Sequence, residues 1–331
     1  MCWAHRSMCH DSGGMTTTAS STTASASTAP MTHRAALAAA TAMAPAVWGT
    51  TYVVTTMALP ADSALWSGVI RALPAGLIAL LIARTLPHGD WWWKAAILGT
   101  LNIGAFFPLL FVSAYLLPGG VAAVFSATQP LFVAALALPL LGEKPTIWRL
   151  GWGVIAVAGV ALMVLGPEAA LSPAGILAGL AGTASMGAGT VLSKKWGRPV
   201  GPVAYAGWLL SAGGLLGLPL ALAFEGAPPP LDAHALLGYA WLSLVGALIT
   251  YILWFDGVGR LPAGAVSFLP LISPLVAAIL GWVLLSETLT LVQVLGFAMA
   301  LLAVSAAQRT RTLTQPPLPR EMTTIRKETT R

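Results

Sequence analysis

The sequence predicts an all-α integral membrane protein: ten transmembrane helices forming two inverted five-helix repeats, with both termini in the cytoplasm. Three observations lead there. The chain is 57% hydrophobic and only 8% charged, where a soluble domain carries roughly 25% charged residues. Residues 118–146 (PGGVAAVFSATQPLFVAALALPLLGEKPT) reappear at 262–290 (PAGAVSFLPLISPLVAAILGWVLLSETLT), so that Pro118/Pro262, Gly120/Gly264, Pro130/Pro274, Leu131/Leu275, Glu143/Glu287 and Thr146/Thr290 keep one spacing of 144. The basic residues, finally, alternate between the connections.

Apolar runs of about 20 residues can cross a hydrocarbon core of ~30 Å. Spans are predicted near 35–58, 64–85, 95–117, 119–141, 147–165, 173–194, 203–223, 236–258, 263–285 and 290–307. Backbone groups in lipid must bond within their own segment, which makes these runs helices. They are too long, and lack the alternation, for an outer-membrane barrel. Span one ends before Pro60, and span two carries Arg71 about two turns in. Span three has Pro108 near its middle. Span four opens at Pro118-Gly119-Gly120 and holds Pro130 centrally; span nine opens at Pro262 and holds Pro274. Pro173 and Pro202 open spans six and seven, as turn residues should. The first repeat occupies 35–165 and the second 173–307.

Numbering the connections from a cytoplasmic N-terminus puts every Lys and Arg except Arg71 on the cytoplasmic side. The outer connections carry acids: Asp62, Glu168, Glu225, Asp232 and Glu287. Cytoplasmic enrichment of Lys and Arg fixes the orientation. It also accounts for the net charge of +6 without nucleic acid as a partner. Five spans per half make corresponding helices cross in opposite directions. A weaker match of Trp48–Pro60 with Gly187–Pro199 extends the repeat to the first spans.

The tails are plainer. Residues 1–34 are rich in Ser, Thr and Ala with no apolar run of signal-peptide type; disorder is expected there, with Met15 and Met31 as alternative starts. Residues 308–331 form a basic cytoplasmic tail. The two cysteines, Cys2 and Cys9, lie in the first tail and suggest neither a disulfide framework nor a metal site.

Inverted repeats with interrupted helices point to a transporter whose site lies near the midplane between the halves. A proline within a helix frees the carbonyl four residues earlier, so Pro108, Pro130 and Pro274 are expected to kink their helices. Ser126, Thr128 and Gln129 beside Pro130, and Ser273 beside Pro274, are candidate substrate contacts; a packing kink satisfied by a neighbouring hydroxyl is the alternative. An intramembrane arginine costs at least ~2.5 kcal/mol and marks a functional site by default. Arg71 can therefore bind an anionic group of a substrate, or else snorkel or pair with a helix end. Asp256 is a candidate to carry a coupling proton, although Arg260 stands one turn away. Glu143 and Glu287 precede helices and suit junction or capping roles. Tyr115 and Tyr251 belong to an aromatic set, with Trp48, Tyr52, Trp66, Trp208 and Trp254, that can line a pocket or anchor span ends. No Walker A motif, HExxH helix or nucleophile–base set appears, so neither enzyme nor ATP-driven pump is expected, and no cofactor. The expected partners are a small-molecule substrate and membrane lipid; a homodimer is compatible with the sequence.

WGTTYVVTTMALP in span one, RALPAGLIALLIA in span two, LNIGAFF and AYLLPGGVAAVFSATQPL through spans three and four, the GE-x-x-T step at Gly142–Thr146 and AGAVSFLPLISPLVAAILGWVLLSE in the second half together resemble the EamA family of the drug/metabolite transporter superfamily, most of all its PecM-like branch. The resemblance covers residues 35–307. It implies a ten-helix inverted fold in the bacterial inner membrane and efflux of small metabolites, amino acids or drugs, with proton antiport or uncoupled passage as the energetic alternatives. A non-transporting scaffold is the reading from another class. Two departures stand out. Many relatives carry Lys late in span one, where this chain has Thr55 and Thr56, and Ser286 replaces the usual Gly before the second glutamate.

Overall fold

The computed structural model describes residues 29–142, 147–164, 172–261, 266, 269–286 and 290–308, and all regular structure among them is helical. Glu143 and Glu287 lie outside these residues. Helices α1 (Ala29–Ala58) and α2 (Ala64–Ala83) come first. Then α3 (Trp91–Gly99) runs through a π-helical stretch, Thr100–Gly104, towards α4 (Phe106–Leu116). Next, α5 (Gly119–Val124) passes through a 3-10 turn, Phe125–Thr128, into α6 (Gln129–Leu141). Helix α7 (Ile147–Val164) closes the first half. The second half begins with α8 (Pro173–Trp196) and α9 (Pro202–Phe224). Its third run joins α10 (Ala233–Ala240) through a long π stretch, Trp241–Ile249, to α11 (Thr250–Arg260). A 3-10 turn, Leu269–Leu271, leads into α12 (Ile272–Leu285), and α13 (Leu291–Gln308) follows. Among the described residues, six helical runs are long and apolar enough to cross a membrane; α6 and α12 are apolar but shorter.

The prolines expected to kink their helices at mid-span each sit just after an irregular turn in a helical run. Pro130 falls in the first turn of α6, Pro108 in that of α4 and Pro274 in that of α12. First-turn N–H groups have no partner inside the helix, so a proline there gives up little and presets the backbone. The interruption is the irregular turn just before each proline. These turns repeat: the two 3-10 turns begin at Phe125 and Leu269, again 144 residues apart, and the two π stretches overlap at that spacing.

Helix contacts exchange when the halves are exchanged. Helix α4 packs on α8 as α11 packs on α1, and α6 on α8 as α12 on α1; α2 meets α9 and α7 meets α13. The α2–α9 contact is close and antiparallel. A Cβ on Gly76 would strike the backbone nitrogen of Ser211, and one on Gly214 would sit 2.9 Å from the Cβ of Leu73. The two ends are clasped alike. At one end the Trp66 indole donates to the Gly226 carbonyl at 3.2 Å; at the other Trp208 donates to that of Thr85 at 2.8 Å. Glu225 adds a carboxylate to the first clasp, accepting from the backbone N–H groups of Leu65 and Trp66 at 2.8 and 2.9 Å. It thus satisfies two orphan donors of the α2 N-terminus and complements its dipole.

The repeated junction after α6 and α12 uses one backbone conformation. Gly142 has φ 71 and accordingly closes α6, its N–H bonding the Leu138 carbonyl at 3.1 Å; Ser286, its counterpart, has φ 55. The left-handed region costs an L-residue roughly 1–2 kcal/mol and glycine nothing. Ser286→Gly should therefore stabilise the protein by about 1 kcal/mol, read as a raised thermal midpoint of the purified protein. An unchanged or lowered midpoint would contradict the strain at this junction.

Candidate functional site

The irregular turns of both halves converge on one cavity of about 40 Å³. Helix α1 contributes Trp48 and Tyr52, α2 contributes Arg71, and α4 contributes Phe106 and Leu110. The first 3-10 turn and α6 add Ser126 and Gln129; the second and α12 add Pro270 and Ser273. Ser126/Pro270 and Gln129/Ser273 are equivalent in the repeat, at the spacing of 144. Thr183 and Met186 of α8 and Tyr251 of α11 complete the wall. At this volume the cavity has room for a few water molecules, each of which needs ≳ 10–15 Å³.

Arg71 does not snorkel. The residue is 1% exposed. Nη1 donates to the Thr51 hydroxyl at 3.2 Å and Nη2 to the Gly246 carbonyl at 2.9 Å. The guanidinium carbon lies 4.4 Å from the centroid of the Phe107 ring, a cation–π contact. Among the described residues its Nε has no hydrogen-bond partner and no carboxylate forms an ion pair with it. Gly246 lies in the π stretch, and its carbonyl has two lone pairs to offer. The same carbonyl accepts from the Thr250 hydroxyl at 2.8 Å, and that hydroxyl in turn accepts from the Trp48 indole at 2.9 Å. Asn102, equivalent to Gly246 in the repeat, offers its carbonyl to the Tyr251 hydroxyl at 3.5 Å. The neighbouring carbonyl of Leu101 accepts from Ser185 at 2.8 Å. Each π stretch thus turns backbone acceptors toward side chains of other helices.

The residues expected at the site separate into groups. Arg71, Gln129, Ser126, Ser273 and Tyr251 meet at the cavity. Thr128 is buried but turns its hydroxyl back to the Phe125 carbonyl at 2.6 Å, supporting the 3-10 turn rather than lining the cavity. Ser126 likewise donates to Ala123, at 2.6 Å, while remaining on the wall. Tyr115 is drawn away to the clasped end: its hydroxyl donates to the Pro60 carbonyl at 2.9 Å and lies 3.1 Å from the Ser67 hydroxyl, which also meets Tyr239. Asp256 is at the opposite end, between Arg260 at 2.8 Å and Arg198 at 3.4 Å. Of the aromatic set, Trp48, Tyr52 and Tyr251 line the cavity, with Trp254 edge-on to Trp48 at 5.2 Å between ring centroids, while Trp66 and Trp208 serve the clasps. Sequence reasoning missed Thr51, Phe106, Thr183, Met186 and the Gly246 carbonyl. Thr183 and Met186 were discoverable as neighbours on one helical face, three residues apart; a backbone carbonyl leaves no mark in a sequence.

Residues 35–165 and 173–307 each match the model of the EamA-like transporter family. The chain is 43% identical over 255 residues to Protein PecM of Dickeya dadantii (strain 3937), covering 76% of this chain and 86% of that protein. It is 32% identical over 270 residues to the Uncharacterized inner membrane transporter YedA of Escherichia coli (strain K12), covering 78% and 86% respectively. A solved crystal structure shares the fold with a TM-score of 0.61 at 18% identity, over 82% of this chain and 97% of that one.

The hydrogen bonds around Arg71 and Gln129 differ in weight. Thr51→Val leaves a guanidinium N–H unpaired, at a cost of about 1–3 kcal/mol, and should lower the thermal midpoint. Among the described residues Gln129 has a single long hydrogen bond, to Thr190 at 3.5 Å, so Gln129→Leu should leave the midpoint nearly unchanged. Equal midpoints for the two variants would contradict the role given to Thr51.

Proposed function

We propose that this chain, which belongs to the EamA-like transporter family, moves a small organic solute outward across the bacterial cytoplasmic membrane by alternating access. Membrane transport rather than enzymatic chemistry is the family's activity. The finer reading is a secondary transporter with ten spans, N-in and C-in. The four spans beyond the six long runs are the interrupted run Gly119–Leu141, α7, α12 and α13. The topology is supported by the distribution of Lys and Arg.

The observation that carries the proposal is the cavity between the repeats, lined from both halves by equivalent positions on irregular turns. A site so built is shared by two bodies that can rock about it. At about 40 Å³ the cavity must widen to admit an organic solute, which separation of the halves would accomplish. The α2–α9 contact, bound by its clasps at both ends, is the natural pivot.

Energy coupling has two readings. Proton antiport needs a titratable group that meets the site, and Asp256 was the candidate in the sequence. It is paired with Arg198 and Arg260 away from the cavity, whose described lining includes neither carboxylate nor histidine. This favours an uncoupled facilitator, or coupling carried by the solute itself.

Metabolite profiles of cells with and without the protein test transport: at least one small organic compound should fall inside and rise in the medium when the protein is present. No difference would favour a non-transporting scaffold. Asp256→Asn, which weakens partly exposed ion pairs worth about 0–1 kcal/mol, should leave that export and its response to a proton gradient intact. Loss of the gradient response alone would restore Asp256 as the proton carrier.

A further inference from the structure

We infer that the transported solute carries one net negative charge, on a carboxylate joined to a flat apolar body, and that Arg71 binds the carboxylate. The inference rests on the transporter reading and names its substrate class. Arg71 is the cavity's cation, buried and unaccompanied by any carboxylate among the described residues. A guanidinium stays charged in proteins. The acceptors it has, Thr51 and the Gly246 carbonyl, are neutral, and the Phe107 face offers only its quadrupole. Two neutral acceptors leave most of its five N–H donors uncommitted, the Nε–H among them.

A buried charge needs a counter-charge or pays desolvation in full. Here the missing counter-charge is best supplied by what enters the cavity. Carboxylates match the guanidinium fork in geometry as well as sign. The polar groups on the rest of the wall, Ser126, Gln129, Thr183 and Ser273, are neutral. One cation balances one anion, so a phosphate dianion or a dicarboxylate would leave a charge unpaired. Among the described lining residues a solute amine has no acidic partner. Trp48, Tyr52, Phe106 and Tyr251 offer aromatic surface on the same wall, which suits an aromatic or otherwise flat apolar body.

The test sorts by charge every compound whose export depends on the protein, comparing cells carrying the full chain, Arg71→Gln, Arg71→Lys or no chain, with membrane abundance measured throughout. Monocarboxylates should dominate the compounds exported by the unaltered chain. At equal abundance, Arg71→Gln should reduce that export about tenfold or more, the loss expected for one charge-assisted contact, and Arg71→Lys should retain an intermediate rate. Exported compounds that are neutral, cationic or phosphorylated would overturn the inference while leaving the transporter reading standing, as would carboxylate export undiminished in Arg71→Gln. Export of nothing at all would overturn both. If neither variant accumulates, the charge of the compounds moved by the unaltered chain still decides.

Discussion

The hydrogen bond from Arg71 to the Gly246 carbonyl ties the second helix of one half to the third helical run of the other. Much of the architecture is needed to make it. The guanidinium is buried, held by Thr51, Gly246 and the Phe107 ring. The carbonyl lies within the π-helical stretch Trp241–Ile249. In lipid a backbone acceptor must be satisfied by protein or by a solvated cavity. Arg71 and Thr250 both meet that demand at Gly246, and the indole of Trp48 extends the chain of bonds back to α1. One short network therefore joins both halves at the wall of the cavity.

The internal repeat gains physical meaning from this arrangement. Its best-matched stretch contains two 3-10 turns in register, each followed by a helix with proline in its first turn. A duplicated interruption brings Ser126 and Gln129 to face Pro270 and Ser273 across one space. The π stretches behave likewise, with Asn102 and Gly246 presenting carbonyls to Tyr251 and Arg71. The two 3-10 turns thus lie where the halves share a cavity. The clasped ends are well satisfied, through Trp66, Trp208 and Glu225.

Much of this was legible in the sequence, for reasons that differ by residue. Span ends followed from run length and from Pro and Gly. Arg71 stood out because a charge within an apolar run is costly wherever it points. Position along a helix, however, does not reveal direction. Gln129 and Thr128 are neighbours, yet a helix turns about 100° per residue, and only Gln129 faces the cavity. Proline marked the correct level of each helix but not whether it bent that helix or started another. Tyr115 read as a pocket aromatic because nothing local announced its partners, Pro60 and Ser67, more than 45 residues earlier. The Ser286 junction was visible as a departure from the usual glycine, and its left-handed backbone gives that departure a physical cost.

Charge placement separates the paired ions at helix ends from Arg71. Asp256 sits between Arg198 and Arg260, Lys94 pairs with Asp90, and Asp232 caps α10 through the N–H of Ala235 at 2.7 Å. Glu225 covers the first donors of α2. Each of these charges lies at a helix end with a partner that accounts for it. Arg71 follows neither rule, since it is buried in mid-helix with neutral acceptors only. A cation needed solely to hold two helices together could be replaced by neutral donors at lower desolvation cost. Its retention as a full charge beside an open, aromatic-walled space is explained more simply by a solute that brings the opposite charge.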